Sequence, residues 1–166
     1  MWIEVRAPSL IILVGISGAG KSTFARKHFA STEILSSDHC RALVSDDEND
    51  QSVTSDAFAL LTALARMRLR HGRLCIVDAT NLEPRDRLKY VQIANEFHCG
   101  VGAIVMEAEL DVCLERMQSR SDRRITEAIV RRQFGQFRAS LPSLPLEGFF
   151  PIWHVDDAEG VEIVRI

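Results

Sequence analysis

Short apolar runs alternate along the chain with longer stretches in which apolar residues recur at helical spacing. Ser9–Val14 is a nearly continuous apolar run, which is typical of a strand buried on both faces of a parallel sheet. Between Asp56 and His71 leucine and methionine recur every three or four residues, and Gly72 follows as a helix stop. The chain therefore carries clear signals for both strands and helices.

The same two patterns can be followed over the whole chain. Strands are predicted at 9–14, 32–35, 74–77, 101–106 and 152–155, and helices at 21–29, 56–71, 85–97, 110–117 and 126–139. A polar stretch reaches Ser55 with no predicted element, the segment 140–148 is predicted to be loop because of its two prolines, and 161–165 is a short element of undecided type. Strands that alternate with helices form βαβ units, so we expect an α/β fold with a parallel five-stranded sheet flanked by helices.

Length and composition fit one domain. The 166 residues are 46% hydrophobic and 26% charged, which is ordinary for a globular domain. We expect a single domain over 1–166, and the abrupt end after VEIVRI also permits a domain cut from a longer multidomain protein. No run approaches the ~20 apolar residues that cross a bilayer, the N-terminus lacks a signal-peptide pattern, and the four cysteines are scattered. A cytoplasmic protein with reduced thiols is therefore expected.

Charge is distributed unevenly. The net charge is −3, yet residues 116–138 contain seven arginines against two acids, whereas 46–50 read DDEND. A local basic face on an acidic chain suits a phosphate-rich ligand held in one cleft. The acidic run has no evident chemical role, and both a solvated loop and a part in shaping a ligand pocket are open.

The segment 15–22, GISGAGKS, fits the phosphate-binding pattern GxxxxGK[ST], follows an apolar strand and opens a helix. Its glycines let backbone N–H groups wrap around phosphates, and the helix N-terminus adds partial positive charge. Lys21 is expected to reach the β- and γ-phosphates of ATP, and Ser22 to hold Mg²⁺. The loop residues expected to bind the nucleotide are Gly15, Ser17, Gly18, Ala19, Gly20, Lys21, Ser22 and Thr23.

A carboxylate ends the third predicted strand. Asp78 closes the apolar stretch of RLCIVDAT, and in P-loop proteins an acid at this place lies near the metal, directly or through water. We expect Asp78 to contribute to the Mg²⁺ site together with Ser22. A turn or helix-cap role is the alternative.

Phosphate loops serve GTPases, motor ATPases and kinases, so the loop alone does not name a reaction. The sequence has no NKxD segment of the kind that reads guanine, and 166 residues are too few for most motor cores. The small-kinase class remains. Such an enzyme needs a residue after the second strand that receives the acceptor hydroxyl, and an arginine-rich lid.

Asp38 and Arg41 follow the second predicted strand, at the edge where ligands bind in open α/β sheets. A carboxylate there can take the proton of an acceptor hydroxyl. Arg41 would share its face in a helical turn, and a guanidinium suits an acceptor that carries a phosphate. The alternative is a helix cap at Asp38 and a surface charge at Arg41.

Four arginines lie within nine residues, from the end of the helix predicted at 110–117 into the break before the next one: Arg116, Arg120, Arg123 and Arg124. Arginines that close over a transferring phosphoryl group stabilise its negative charge. We expect a helical lid at about 116–126, in which Arg116 and Arg120 act in catalysis and Arg123 joins them in binding the nucleotide.

These segments together resemble a known family. GISGAGKSTFARKHF, SSDHCRALVSDDENDQ, VDATN and the arginines of ERMQSRSDRR are similar to the N-terminal kinase module of bacterial polynucleotide kinase–phosphatase, an RNA end-healing enzyme. The resemblance runs from about Leu10 to the end of the chain, and DDENDQ is its most specific part. In that family the module transfers phosphate from an NTP to a 5′-OH polynucleotide end and is followed by phosphatase and ligase-like modules.

The resemblance implies a P-loop phosphotransferase fold, ATP or another NTP with Mg²⁺ as cofactor, and a 5′-OH nucleic-acid end as partner, RNA rather than DNA. It makes Asp38 the general base and Arg41 the clamp on the phosphate 3′ to the acceptor nucleoside, and it adds Gln51 as a bracket for the terminal nucleobase. The remaining residues that carry over are the phosphate, metal and lid contacts Lys21, Ser22, Arg116, Arg120 and Arg123.

Two other functions stay open. One is a small-molecule kinase whose acceptor is a sugar, nucleoside or drug hydroxyl, and the other is a nucleotide-dependent regulatory module that transfers nothing. The residues themselves decide neither between RNA and DNA nor between NTP donors.

Overall fold

The computed structural model describes residues 1–119, 125–156 and 160–166. Within these ranges the strands are β1 (Trp2–Val5), β2 (Ser9–Val14), β3 (Ile34–Ser36), β4 (Cys75–Asp78), β5 (Gly100–Met106), β6 (Ile152–Val155) and β7 (Glu162–Arg165). The helices are α1 (Lys21–His28), α2 (Ser37–Ser45), α3 (Thr54–Arg70), α4 (Pro84–Glu96), α5 (Leu110–Gln118) and α6 (Glu127–Ser140), with 3-10 helices at Gln51–Val53 and Leu141–Leu146. None of the described helices is long and apolar enough to span a membrane.

Five of the described strands form one parallel sheet in the order β3-β4-β2-β5-β6. The central strand is β2, where Leu10 pairs with Cys75 on one side and Val101 on the other. Its residues from Leu10 to Val14 are all buried, which explains the continuous apolar run. The predicted α/β P-loop fold with a five-stranded parallel sheet is confirmed.

The carboxyl ends of β3, β4 and β2 lie side by side. Ser36 at the end of β3 is in register with Asp78 at the end of β4, and β2 neighbours β4 and ends at Val14, directly before the glycine-rich loop. Parallel strands all expose their carboxyl ends at the same edge. The fold therefore brings together three segments that the sequence separates.

Two segments predicted without regular structure contain helices. The polar stretch after β3 contains α2, whose N-terminus is capped by the Ser36 hydroxyl accepting from the His39 N–H at 3.2 Å. The helix was missed because polar residues dominate this stretch and few apolar positions mark its inner face. The segment 140–148, predicted as loop, contains a 3-10 helix that begins with a proline in its first turn, a position where the missing N–H costs nothing.

A two-stranded sheet lies outside the main one. β1 pairs in parallel with β7, with Trp2 opposite Glu162, so the undecided segment 161–165 is a strand. The sequence prediction omitted β1, although Ile3 and Val5 are buried and alternate with exposed neighbours. That alternation is the ordinary period of a strand with one buried face.

All four cysteines are free thiols. Burial raises the pKa of each thiol, and that of Cys75 rises to about 11. A thiol with a raised pKa is a weak nucleophile and a weak metal ligand at neutral pH. The cysteines therefore serve as small apolar residues of the core.

Arg87 of α4 is fully buried and connects three segments. Its Nη1 donates to the carbonyl oxygens of Asn81 and Leu82 at 3.0 and 2.9 Å. Its Nε and Nη2 donate to the two carboxylate oxygens of Glu147 at 2.7 and 2.6 Å. Burial alone would raise the pKa of Glu147, but hydrogen bonds from Arg87 and Ser143 outweigh it and lower that pKa. The guanidinium thus fixes the segment after β4 against the residues that follow α6.

Arg87→Met should lower the free energy of unfolding by about 3 kcal/mol, because it leaves the largely buried carboxylate of Glu147, 14% exposed, without its cation. The matched control is Arg85→Met, two residues earlier on the same helix. The Arg85 side chain is 81% exposed and pairs with Glu83 at 2.6 Å, an exposed contact worth less than about 1 kcal/mol. Urea unfolding at pH 7 measures both variants, and equal losses would contradict the role given to Arg87.

Candidate active site

The phosphate loop joins the end of β2 to the start of α1. Gly18 and Gly20 have φ angles of 85° and 92°, in the left-handed region that glycine adopts without strain. Gly18 also packs so closely on α5 that an added Cβ would lie 2.6 Å from the carbonyl oxygen of Cys113. The Lys21 ammonium bends back over the loop and donates to the carbonyl oxygen of Ile16 at 2.8 Å. The backbone is therefore shaped as the sequence motif predicts.

Two hydrogen bonds hold the beginning of the loop to the segment after β4. The Gly15 N–H donates to the carbonyl oxygen of Thr80 at 3.1 Å. The Asn81 side-chain amide donates to the carbonyl oxygen of Leu13 at 2.7 Å. Asn81 is 3% exposed and has a φ of 49°, a conformation that asparagine tolerates better than most residues. Asn81 therefore fixes the start of the phosphate loop relative to the segment that follows β4.

Asp78 and Ser22 meet beneath the loop. Burial raises the pKa of the Asp78 carboxyl, while the hydrogen bond from the Ser22 hydroxyl and the nearby Lys21 ammonium act in the opposite direction. The Asp38 carboxylate raises the pKa of Asp78 further, so two carboxylates face the same space. Because the folded pKa lies above the unfolded one, the protonated form favours folding, and this contribution is lost as pH rises through the raised pKa. At neutral pH the ionised Asp78 thus costs stability.

Asp38 and Arg41 lie one turn apart on α2, as their spacing predicts. Arg41 Nη1 donates to Asp38 Oδ1 at 2.8 Å, and Arg41 Nε lies 3.4 Å from Thr54 Oγ1 on α3. The Arg41 side chain is 9% exposed and that of Asp38 52% exposed. Ser36 caps this helix, so the alternatives of a cap at Asp38 and a surface charge at Arg41 are both wrong. The carboxylate faces solvent, and the guanidinium that orients it is buried.

The acidic run between α2 and α3 shapes the connection between these helices. Asp47 Oδ1 accepts from the Asn49 N–H at 2.9 Å, and Asp50 Oδ1 accepts from the Ser52 N–H at 2.9 Å. The second of these bonds caps the 3-10 helix in which Gln51 stands. The run is therefore a folded turn with specific backbone contacts, and the residue that follows it, Gln51, lines the cleft.

One cleft of ≈ 420 Å³ collects the predicted groups. The sequence-predicted residues that line it are Ser17, Gly18, Gly20, Lys21, Ser22, Thr23, Asp38, Arg41, Gln51 and Asp78. Gly15 and Ala19 are buried behind them and support the loop. A cleft of this size suits a small ligand or one end of a larger one.

Several lining side chains were missed by sequence reasoning: Ser37, Phe58, Lys89 and Gln133. Gln133 of α6 accepts from the Ser17 N–H through Oε1 at 2.8 Å. The Lys89 ammonium of α4 lies 4.2 Å from the centroid of the Phe58 ring of α3. Phe58, Lys89 and Gln133 belong to no motif and reach the cleft only through the way their helices pack. The sequence signal for them is no more than membership of an inner helix face.

Arg116 is the one predicted lid arginine within the described residues. It stands on α5, and its Nη1 donates to the carbonyl oxygen of Gly18 at 3.1 Å. The guanidinium therefore lies against the phosphate loop but is not among the residues that line the cleft, and its lid and catalytic roles stay predictions. Arg120 and Arg123 lie outside the described residues, so their lid and catalytic roles stay predictions.

The sheet and the loop define a P-loop kinase-like fold, which implies binding of a nucleotide such as ATP. A family model described as an AAA domain matches residues 10–144. The chain belongs to this family, AAA_33.

Solved structures share the fold at low identity. One chain of the Pnkp1/Rnl/Hen1 RNA repair complex aligns with a TM-score of 0.72 and 22% identity over 84% of this chain, which spans 47% of that one, about half its length. Chaetomium thermophilum Kti12 in complex with ADP-AlF3 gives a TM-score of 0.67 and 16% identity, covering 90% of this chain and 92% of that chain. Mycobacterium tuberculosis APS kinase CysC in complex with AMPPNP and APS gives a TM-score of 0.54 and 18% identity, covering 69% of this chain and 71% of that chain. Identities this low show a common fold and do not transfer a substrate.

Gly18→Ala should weaken ATP binding about tenfold or more, because the new Cβ meets the Cys113 carbonyl oxygen and displaces the loop. The matched control is Gly72→Ala. Gly72 has a φ of 69°, yet nothing lies within 4 Å of an added Cβ, so it carries only the backbone strain of about 1–2 kcal/mol. Calorimetric titration measures the affinity for ATP and urea unfolding measures stability, which separates displacement of the loop from backbone strain. ATP binding by Gly18→Ala as tight as by Gly72→Ala would contradict the tight packing of the loop.

Proposed function

We propose that this domain is an ATP-dependent 5′-hydroxyl polynucleotide kinase that acts in the end healing of RNA or DNA. The observation that carries the proposal is the single cleft lined by both the phosphate loop and the Asp38–Arg41 pair. A base that shares a cleft with the phosphate donor fits direct transfer to a hydroxyl. A buried guanidinium beside that base fits an acceptor with a phosphate near its hydroxyl.

In the proposed reaction the acceptor hydroxyl lies between Asp38 and the γ-phosphoryl group of ATP. The Asp38 carboxylate takes the hydroxyl proton while the oxygen forms its bond to the γ-phosphorus. The bond from that phosphorus to the β–γ bridging oxygen breaks, and ADP leaves with the electron pair. Lys21 and Arg116 supply positive charge where negative charge spreads over the phosphoryl oxygens. Asp38 then returns its proton to solvent, to which its side chain is 52% exposed.

Ser22 and Asp78 fit a Mg²⁺ ion. Hydroxyl and carboxylate oxygens are the ligands that this ion prefers. Burial raises the pKa of Asp78, so the ionised carboxylate gains from a nearby cation. When bound, the ion would neutralise charge on the β- and γ-phosphates.

Arg41 serves both the base and the acceptor in this proposal. A guanidinium has five N–H donors, and Arg41 uses Nη1 on Asp38 and Nε toward Thr54. The remaining donors suit the phosphate 3′ to the acceptor nucleoside. Loss of Arg41 should therefore also slow acceptors that lack a phosphate, because the base loses its orientation.

A nucleic acid is favoured over a sugar as the acceptor for two further reasons. The resemblance of the segments around the loop, Asp38 and the acidic turn is to a polynucleotide kinase module, and one structural relative belongs to an RNA repair complex. The residues that the acidic turn organises include Gln51, which lines the acceptor side of the cleft and suits a flat nucleobase.

Transfer from γ-labelled ATP should mark 5′-OH RNA and DNA oligonucleotides about 100-fold faster than free nucleosides or gluconate, because those acceptors leave Arg41 without a phosphate. An oligonucleotide that already carries a 5′-phosphate is the control and should take no label. Faster labelling of a sugar or a nucleoside would identify a small-molecule kinase instead. ATP binding without any labelled acceptor would identify a regulatory module.

Asp38→Asn should lower kcat by about 10²–10⁴-fold, because asparagine keeps the contact with Arg41 but accepts no proton. The affinity for ATP should stay at the wild-type value, since Asp38 lies on the acceptor side. The control is Asp56→Asn, an exposed carboxylate in the first turn of α3 that does not line the cleft. Calorimetry measures the affinity and single-turnover labelling the rate. A fully active Asp38→Asn enzyme would remove the assigned base.

A further inference from the structure

Lys89 of α4 is half-buried and lines the cleft. Its ammonium lies 4.2 Å from the centroid of the Phe58 ring and 5.3 Å from that of Tyr90. Both Lys89 and Phe58 line the cleft. A cation over an aromatic face is held in place by the ring's electron density, so the charge has a defined position.

The Lys89 ammonium has no carboxylate partner among the ion pairs within 4 Å in the described residues. Asp86, one turn earlier on α4, is engaged at the helix N-terminus, where its carboxylate accepts from the Glu83 N–H at 3.4 Å. Burial lowers the pKa of Lys89, and the charge of Asp86 opposes this only in part. A partly desolvated cation without an ion-pair partner favours the arrival of an anion.

A line of contacts leads from the base to Lys89. Asp38 pairs with Arg41, and Arg41 reaches Thr54 at the start of α3. Phe58 follows one helical turn later, about 5.4 Å along the axis, and carries the Lys89 ammonium on its ring. Arg41 and Lys89 therefore line the same cleft and both contact the N-terminal half of α3.

We infer that Lys89 binds the second backbone phosphate of the acceptor strand, next to the first phosphate held by Arg41. This inference rests on the proposed polynucleotide kinase function and deepens it. A strand presents one phosphate per nucleotide, so two cations that line the same cleft suit two successive phosphates. Lysine acts there as a point charge, which suits a backbone whose bases differ.

The test compares acceptors with one and with two phosphates. Lys89→Met should raise the KM of a 5′-OH dinucleotide 3′-phosphate about tenfold. The KM of a nucleoside 3′-monophosphate, the KM of ATP and kcat should stay unchanged. Lys89→Arg should keep the wild-type KM, because it keeps the positive charge. The control is Lys27→Met, which removes an exposed lysine of α1 outside the cleft and should change none of these constants.

Binding gives a second readout that does not depend on turnover. Anisotropy titration of a 5′-OH oligonucleotide over a range of salt concentrations measures how many phosphates are neutralised. The slope of log affinity against log salt should fall by about 0.7 in Lys89→Met, the value for one phosphate contact on a single strand. Lys89→Gln is a second neutral variant that replaces Lys89→Met if that variant folds poorly. It is expected to show the same decrease in slope.

The outcomes separate the two claims. A wild-type enzyme that neither binds nor labels an oligonucleotide would overturn the polynucleotide kinase function and this inference together. The role of Lys89 alone would be overturned by a different result, in which the wild-type enzyme labels the oligonucleotide. The Lys89 variants would then keep the wild-type salt slope, or their KM would rise equally for one-phosphate and two-phosphate acceptors.

Discussion

The hydrogen bonds between the beginning of the phosphate loop and the segment after β4 determine where donor and acceptor can meet. The bonds from Asn81 to Leu13 and from Gly15 to Thr80 fix the loop on the carboxyl edge of the sheet. Arg87 holds the same segment from the opposite side through the Asn81 carbonyl oxygen. A fully buried guanidinium with a bidentate carboxylate partner is a rigid support. The loop therefore stays in position at the end of β2, while α2 and α3 form the facing wall.

Within the part of the chain that the structure describes, cationic and anionic side chains line the cleft in equal numbers, and burial disfavours the charged form of two of them. The charged residues that line it are Lys21, Arg41 and Lys89 against Asp38, Asp78 and Asp86. Burial shifts the pKa of Asp78 upward and that of Lys89 downward, in both cases against the charged form. A metal ion beside Asp78 and a phosphate beside Lys89 would offset this cost.

How much could be predicted from the sequence depends on how local each signal is. The strand β2 and the glycine-rich loop were predictable because the apolar run and the motif are adjacent and together span only residues 9–22. The placing of Asp38 and Arg41 on one helical face at the sheet edge was predictable, because they follow a strand and are three residues apart. Lys89 and Gln133 could not be found, because they reach the cleft only through the packing of α4 and α6. The helix α2 was overlooked since its polar composition suggested a loop, although a cap at Ser36 marks its start.

The central claim is that ATP and the acceptor hydroxyl occupy one cleft and react directly. The stereochemical course at phosphorus tests it most directly, with ATP made chiral at the γ-phosphorus by sulfur and oxygen isotopes and a 5′-OH oligonucleotide as acceptor. A single in-line attack beside Asp38 inverts the configuration. Inversion in the labelled product is therefore the predicted result. Retention would require a phosphorylated enzyme between donor and acceptor, and it would contradict the shared cleft as the place of transfer.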